Sequence, residues 1–388
     1  MPDVVVDPAI PRLGLIVNPI AGLGGRVGLK GTDGEGVAAR ALELGAEPRS
    51  MGRAAAALLR LAATWPVDRA RPLLSCGSGD LGETAARAAD WECSVIGGAA
   101  PTTTTADDTR RLAITLAGEG VDVLLFAGGD GTARDISEAV GDTVPVLGIP
   151  AGVKIQSAVF ATSPGAAGEV TADFLAGSTR RTTEREVLDL DEEAYRNGDI
   201  RPRLHGLMRV PEGRLLQSRK APTPASDGSA MAGIAAEVEA LLEPGRRYIL
   251  GPGTTTRAMA RRLGVDKTLV GVDVILAEAD GARVVVSDAA EQDLRAVVSE
   301  GQTSIVVTPI GGQGFLFGRG NQPISPEVIR AVGRDRIVVL ATPTKLADLA
   351  GHPLLVDTGD DALDEELCGQ IRVITGHRER AIVRIDKA

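Results

Sequence analysis

Aromatic side chains are scarce in this sequence and make up only 2% of its 388 residues. Few rings remain on which bases could stack, which disfavours single-stranded nucleic acid as a partner. The core must be built from Ala, Val, Leu and Ile, and the hydrophobic share of 44% is ample for one. A net charge of −10 repels phosphate backbones and anionic lipid. We therefore predict neither a nucleic-acid partner nor a membrane partner.

Cysteine and histidine are equally rare, with three of each in the chain. They are widely spaced, at Cys76, Cys93, Cys368, His205, His352 and His377. This spacing holds no disulfide framework and no metal-binding motif, so we predict no metal-ligating residues and a reducing compartment, the cytoplasm. Residues 1–11 lack the basic start and apolar run of a signal peptide, and no apolar run is long enough to span a membrane.

Apolar runs alternate with helical segments over residues 13–150. The clearest run, residues 121–127, is Val-Asp-Val-Leu-Leu-Phe-Ala, which is almost wholly apolar. Such continuous runs are typical of strands buried on both faces of a parallel sheet. The repeated strand–helix order predicts an α/β fold whose first domain, residues 1–150, is a doubly wound parallel sheet that binds nucleotide or phosphate.

After residue 150 the pattern changes. Residues 183–218 interleave polar and apolar positions, as short strands and turns do, and residues 221–229 form a loop or hinge rich in Pro and Ser. Strand–helix alternation then returns. We predict a larger mixed α/β substrate domain over residues 151–388, with an inserted α/β segment around 230–300.

The strongest motif is the string Gly128-Gly129-Asp130-Gly131-Thr132, which follows the clearest strand and precedes a helix. In an open α/β sheet, ligands bind beyond the carboxyl ends of the strands. Glycines there let the backbone approach phosphates, and free N–H groups can hold them. We expect the Asp130 carboxylate to lie open to this crevice and to accept a proton from an attacking hydroxyl or to hold Mg²⁺. The alternative is a tight turn in which Asp130 only caps the helix.

A second glycine-rich segment follows the first strand. Its stretch Gly22–Gly34 holds six glycines together with Arg26 and Lys30. We predict phosphate-binding positions at Gly24, Gly25, Arg26 and Lys30, and a mobile lid over a triphosphate. The spacing matches neither a Walker loop nor a dinucleotide fingerprint, and the alternative is an ordinary surface loop.

Asn18-Pro19 and the string 128–132 resemble the pair shared by NAD kinases, diacylglycerol kinases, sphingosine kinases and 6-phosphofructokinases. The sequence is most similar to the ATP-NAD kinase family, in the branch that includes the acetoin-catabolism protein AcoX. The strings at 14–22, 24–34, 147–154, 308–315 and 318–321 carry this likeness, which extends from residue 13 to about residue 346.

The resemblance implies a two-domain kinase with its active site between the domains, with ATP and Mg²⁺ as cofactors and the 2′-hydroxyl of NAD(H) as acceptor. The family's general base, or the hydrogen-bond partner of that base, falls on Asp130. Asn18 falls among the phosphate-binding residues.

Two departures concern the acceptor. NAD kinases hold the dinucleotide with an Asn-Glu pair, and none of the three asparagines here precedes a Glu. The segment that usually runs Thr-Pro-Thr-Gly-Ser-Thr-Ala-Tyr is Thr-Pro-Ile-Gly-Gly-Gln-Gly-Phe at residues 308–315. Kinase chemistry is therefore better supported than NAD as its acceptor.

A third glycine motif, residues 250–259, follows a strand and opens a helix. Its Gly253, Thr254, Thr255 and Thr256 resemble the loop of sugar-phosphate isomerase-like domains, and they form an anion site for the acceptor's phosphate or merely an N-cap. We predict that the substrate site also includes four residues from neighbouring loops, Lys154, Gly311, Gly312 and Gln313.

The sequence thus favours a kinase that transfers a phosphoryl group from ATP, or from another phosphoryl donor, to a small hydroxyl-bearing acceptor, with NAD(H) first. Two alternatives stay open. One is a kinase for a sugar phosphate or a lipid, and the other is a non-enzymatic sensor of nucleotides or sugar phosphates. We also predict a homo-oligomer, either a homodimer or a tetramer.

Overall fold

The computed structural model describes residues 10–29, 36–98, 104–190, 202–218 and 227–388. The strands within them are β1 Arg12–Val17, β2 Leu73–Gly77, β3 Cys93–Ile96, β4 Val123–Gly128, β5 Val146–Pro150, β6 Thr182–Leu190, β7 Pro202–Pro211, β8 Arg247–Leu250, β9 Asp273–Glu278, β10 Gly281–Val286, β11 Thr303–Val307, β12 Phe315–Phe317, β13 Ile337–Leu340, β14 Leu354–Val356, β15 Gly369–Gly376 and β16 Glu379–Lys387. The helices are α1 Val37–Glu43, α2 Ser50–Thr64, α3 Glu83–Ala88, α4 Ala106–Gly118, α5 Asp130–Val140, α6 Pro164–Leu175, α7 Gly228–Leu241, α8 Thr254–Arg262, α9 Glu291–Ser299, α10 Pro326–Val332, α11 Pro343–Ala347 and α12 Asp361–Leu367.

The N-terminal sheet has the order β3-β2-β1-β4-β5, and every neighbouring pair in it is parallel. β4 is buried at every position, as its continuous apolar run predicts. The strand order reverses between β1 and β4, so their carboxyl ends flank the switch point where open α/β sheets bind ligands. The doubly wound N-terminal sheet predicted from the sequence is confirmed.

The C-terminal sheet is mixed and larger, with the order β10-β9-β8-β11-β13-β15-β16-β14-β12 across the described residues. Its central strands β8, β11, β13 and β15 are parallel, so their carboxyl ends share one edge. The predicted mixed C-terminal domain is confirmed as a fold class. The segment around 230–300 supplies β8, β9 and β10, which form one side of this same sheet.

A separate ribbon of β6 and β7 pairs antiparallel and packs on the N-terminal core. Val187, Met208 and Val210 from this ribbon belong to the same hydrophobic cluster as β1 and β4. The first hydrophobic core thus reaches beyond residue 150 along the chain. The domain bounds 1–150 and 151–388 stay a prediction.

Candidate functional site between the two sheets

The turn between β4 and α5 is built by close backbone packing. A Cβ at Gly128 would lie 2.5 Å from the Thr132 side chain, so only glycine leaves room for that threonine. Gly129 packs against Gly152, where an added Cβ would come within 2.7 Å of the Gly129 Cα. The turn and the segment that follows β5 therefore touch through glycine backbone, with α5 beginning at Asp130.

Asp130 lies inside this packing rather than in the open crevice. Its Oδ2 accepts a hydrogen bond from the Gln156 N–H at 2.7 Å, and its Oδ1 accepts one from the Ser157 N–H at 3.0 Å. The residue is only 7% exposed, so the expectation of an open carboxylate is wrong. The sequence around Asp130 gave no sign that a segment 26 residues further on would fold over it.

Burial raises the pKa of Asp130 to about 7, against the hydrogen bonds from Ser157 and Gln156, which lower it. The nearby Asp189 charge raises it further. A buried carboxyl group at the end of a central strand, with a pKa close to neutrality, is the arrangement expected of a group that exchanges a proton.

Asn18 joins the end of β1 to the start of α5. Its Nδ2 donates to the Thr132 Oγ1 at 2.9 Å, and its Oδ1 accepts from the Ile20 N–H at 3.2 Å. Thr132 is buried at 3% exposure. The structure thus brings Asn18 and Thr132 together at the switch point, beside Gly128, Gly129 and Gly131. Their contact with phosphate stays a prediction.

The glycine-rich segment that follows β1 is described from Gly22 up to Leu29, and this part lies between the two domains. Gly22 has φ +82°, and a Cβ there would meet the Ala151 carbonyl oxygen at 2.1 Å, so this position requires glycine. Gly24 and Gly25 are buried, and Gly25 faces Gln322 of the C-terminal domain. These contacts fix this part of the loop in place.

Arg26, in the same loop, faces acidic side chains of the C-terminal domain. Its guanidinium lies 3.6 Å from Glu291 and 3.9 Å from Glu327, and its carbonyl accepts the Glu291 N–H. Part of its charge is therefore already matched. Lys30 falls outside the described residues, and the lid over the phosphoryl donor stays a prediction.

An arginine cluster that sequence reasoning missed lies next to this loop. Arg53 of α2 donates to both Asp357 oxygens, at 3.1 and 2.5 Å, and Arg319 pairs with the same carboxylate at 2.7 Å. Arg53 also bonds the Pro150 carbonyl, and Arg319 donates to the Thr162 carbonyl at 3.0 Å.

Burial lowers the pKa of Arg319 to about 10, while Asp357 opposes that shift. The pKa of Asp357 is itself held below its usual value by Arg53 and Arg319, which outweigh the effect of its burial. Arg319 stands in the string 318–321 that carries the family likeness, and this was the available sequence signal. Nothing near Arg53 or Asp357 in the sequence marks them.

The third glycine motif follows β8 at the carboxyl ends of the parallel strands of the C-terminal sheet, and α8 begins there at Thr254. Thr256 donates its hydroxyl to the Gly251 carbonyl at 2.7 Å and approaches the Gly253 carbonyl at 3.0 Å. Thr255 instead accepts from the Lys345 Nζ at 3.3 Å. The three threonines thus differ, because Thr256 closes the turn, Thr255 meets a cation and Thr254 is exposed.

Lys345 is another site residue that sequence reasoning missed. It lies at the carboxyl edge of β13, on α11, and is 6% exposed. Its Nζ also donates to the Thr308 Oγ1 at 3.0 Å, so it joins the loops that follow β8 and β11. The sequence signal was present, because the string Thr-Pro-Thr-Lys at 342–345 follows a strand as Gly253–Thr256 does.

Two hydroxyls near Lys345 are fixed by one carboxylate. The Thr342 and Thr344 hydroxyls donate to Asp227 at 2.5 and 2.6 Å. Thr342 also begins α11, since its Oγ1 accepts the Lys345 N–H at 3.3 Å. This edge is therefore a polar cluster with defined hydrogen bonds.

The loop after β11 connects the carboxyl ends of the strands in the C-terminal sheet to those in the N-terminal sheet. It starts at Thr308, beside Lys345, and passes through Gly311 and Gly312 to Gln313. The Gln313 Nε2 donates to the Ile155 carbonyl at 3.0 Å, next to the segment that holds Asp130. Lys154 lies on that segment and lines a small neighbouring cavity with Gly28 and Gln322. Their contact with substrate stays a prediction.

Metal-binding side chains do not gather here. Among the residues that the structure describes, no three His, Cys, Asp or Glu side chains are placed to hold one ion. The residues therefore do not fit a magnesium site made by protein alone. Magnesium ions in proteins commonly keep several waters and bind through one or two carboxylates together with phosphates of a substrate.

Comparison with known families agrees with this geometry. Residues 13–179 match the model of the ATP-NAD kinase N-terminal domain, and residues 244–385 match that of the ATP-NAD kinase C-terminal domain. The chain belongs to the ATP-NAD kinase family and is a kinase. A search of curated proteins finds no significant match.

The family predicted from the sequence is confirmed, and the AcoX-like branch stays a prediction. No helix in the described ranges combines the length and the apolar character that crossing a bilayer requires.

Proposed function

We propose that this kinase transfers a phosphoryl group from ATP to the 2′-hydroxyl of NAD(H). The observation that carries the proposal is Asp130, a buried carboxyl group with a pKa of about 7 at the carboxyl end of β4, in a chain matched by both kinase domain models. A base with a pKa near the working pH is best suited to proton transfer.

Asp130 retains the capacity to take a proton. An ionised carboxylate offers about four lone-pair positions, and the amides of Gln156 and Ser157 occupy two of them. A hydroxyl that reaches a remaining position can pass its proton to Asp130 as the bond to phosphorus forms. The two amides meanwhile hold the carboxylate in one orientation.

The phosphoryl donor needs positioning and positive charge more than covalent chemistry. The glycine turn at 128–131 offers backbone N–H groups at the start of α5, and the cleft that contains Arg53 and Arg319 opens beside Gly152, which packs on that turn. Mg²⁺ carried on the phosphates would neutralise part of their charge. These features support a triphosphate such as ATP.

The acceptor is proposed to use the edge of the C-terminal sheet. A buried lysine with Thr255 and Thr308 as neighbours favours an acceptor that carries an anionic group. NAD(H) meets this condition through its diphosphate. A sugar phosphate meets it as well, and the missing Asn-Glu pair favours this second candidate.

The test is a turnover assay. Purified protein is incubated with Mg-ATP and, in turn, NAD, NADH or a panel of sugar phosphates, and ADP and phosphorylated product are measured. Product with NAD or NADH supports the proposal, and product with a sugar phosphate alone replaces the acceptor. Tight ATP binding without ADP from any acceptor would leave the sensor alternative. The cytoplasmic location and the homo-oligomer stay predictions.

A further inference from the structure

A cavity of about 40 Å³ lies between the two domains and is lined by four arginines, Arg26, Arg49, Arg53 and Arg319. They come from different parts of the chain. Arg26 lies in the glycine-rich segment that follows β1, Arg49 directly precedes α2, Arg53 lies within α2, and Arg319 precedes α10.

Three of these arginines already have carboxylate neighbours. Arg53 and Arg319 share Asp357, and Arg26 faces Glu291 and Glu327. Arg49 differs, because within the described ranges of the chain its backbone carbonyl accepts the Arg53 N–H but its guanidinium makes no hydrogen bond and no ion pair within 4 Å. The Arg49 guanidinium therefore keeps N–H donors that a ligand can use.

Arg49 is nevertheless held in place. Gly359 has φ +84°, and a Cβ there would lie 3.2 Å from the Arg49 Nη1, so the backbone after β14 packs against the guanidinium. The pKa of Arg49 is lowered by burial first and then by the like charges of Arg26 and Arg53, while Glu291 and Glu327 oppose the shift. A bound anion would oppose the effect of these like charges on Arg49.

The cavity lies next to the segment that packs on the glycine turn at 128–131. Gly152 lines the cavity and packs against Gly129, and Gly22 and Gly318 expose backbone to the same space. A phosphate chain lying here would meet the arginines and the glycine backbone at positions 22, 152 and 318.

We infer that this cavity binds the phosphate chain of a substrate and that Arg49 is the side chain on which this binding most depends. The inference rests on the proposed kinase function and extends it to a residue outside every motif of the sequence. The phosphates can belong to the triphosphate of the phosphoryl donor or to the diphosphate of a dinucleotide acceptor. Both present the same chemistry to arginine.

The probe is inorganic tripolyphosphate, whose binding to the full-length protein is measured by calorimetry at fixed ionic strength. We expect Arg49→Gln to weaken binding by about 10- to 100-fold, because a charge-assisted hydrogen bond is lost. Arg49→Lys should fall between the wild type and Arg49→Gln, since the charge stays and the planar fork is lost. Arg60→Gln, which changes an exposed arginine of α2, should bind as the wild type does.

Competition then identifies the source of the phosphates. Displacement of tripolyphosphate by ATP assigns the cavity to the phosphoryl donor, and displacement by NAD alone assigns it to the acceptor. Wild-type protein that does not bind tripolyphosphate, or Arg49→Gln with unchanged affinity and an intact fold by circular dichroism, overturns the inference. Neither result depends on turnover, so failure of the kinase proposal is detected separately through the absence of ADP.

Discussion

The carboxyl edges of the two sheets share one plan and bury different ionisable side chains. Each is a strand, a glycine turn and a helix start, at 128–132 in the N-terminal sheet and 251–256 in the C-terminal sheet. The first encloses Asp130, whose oxygens meet backbone amides, and the second encloses Lys345, whose ammonium group meets threonine hydroxyls. The comparison teaches that a strand, a glycine turn and a helix start can hold a buried carboxyl group at one edge and a buried ammonium group at the other.

The strongest way to break this comparison is Asp130→Asn, which keeps the shape and removes the charge. Turnover should fall by about 10²- to 10⁴-fold, the usual contribution of a general base. ADP formation under saturating Mg-ATP measures it, and Asp142→Asn, an exposed aspartate just beyond α5, is the control. Near-normal turnover in Asp130→Asn would show that Asp130 only holds residues 156–157 in place through hydrogen bonds.

The matching change at the other edge is Lys345→Met, which keeps the aliphatic stem. If Lys345 binds an anionic acceptor, the acceptor KM should rise by about 10- to 100-fold, while the ATP KM stays within about 2-fold. Lys387→Met, at an exposed ion pair with Glu365, is the control. An equal rise in both KM values would show that the two edges do not have separate substrates.

The pH dependence of the rate tests whether Asp130, at the carboxyl end of β4, acts as the base. With a pKa of about 7, Asp130 is mostly protonated at pH 6, so kcat/KM there should be about 10-fold below its alkaline plateau. The residual activity of Asp130→Asn should lack this limb. A wild-type profile that is flat between pH 6 and 8 would contradict the role of Asp130 as base.

The free energy of unfolding should also depend on the protonation of Asp130, but it should fall as the pH rises, whereas the rate should increase. The pKa of Asp130 is raised from 3.8 to about 7 on folding, so between these values the folded state binds more protons than the unfolded state. This group therefore lowers the free energy of unfolding as pH rises from about 4 to 7. Denaturant titrations at both ends of that window should show a smaller pH dependence in Asp130→Asn.

The smallest effects separate two neighbouring threonines at the second edge. Thr256→Val leaves the Gly251 carbonyl without its hydroxyl donor and should lower the free energy of unfolding by about 1–3 kcal/mol, with kinetics unchanged. Thr255→Val removes a neighbour of Lys345 and should raise the acceptor KM a few-fold, with stability nearly unchanged. Thermal melts and initial rates on both variants decide, and identical behaviour would remove the distinction.

Local sequence was sufficient for features that local chemistry determines. The apolar run 121–127 predicted β4, and the string 128–132 predicted the turn at its end, because burial and glycine geometry act over a few residues. The likeness carried by the glycine strings predicted the family. These parts needed no knowledge of how distant segments meet.

Features made by distant segments could not be predicted. Arg53 and Asp357 are 304 residues apart in the chain, and Thr255 and Lys345 are 90 apart. The enclosure of Asp130 depends on where the chain turns after β5, which no residue near position 130 specifies. Charged residues on an alanine-rich helix such as α2 ordinarily face solvent, so Arg53 had no distinguishing mark.

The triad of Arg53, Asp357 and Arg319 has a mechanical consequence. Arg53 belongs to the N-terminal domain and Asp357 to the C-terminal one, so opening the interdomain cleft at this point would leave a buried carboxylate short of a partner. Breaking a buried pair in this way typically costs about 3–5 kcal/mol. The triad thus resists separation of the two domains at this point.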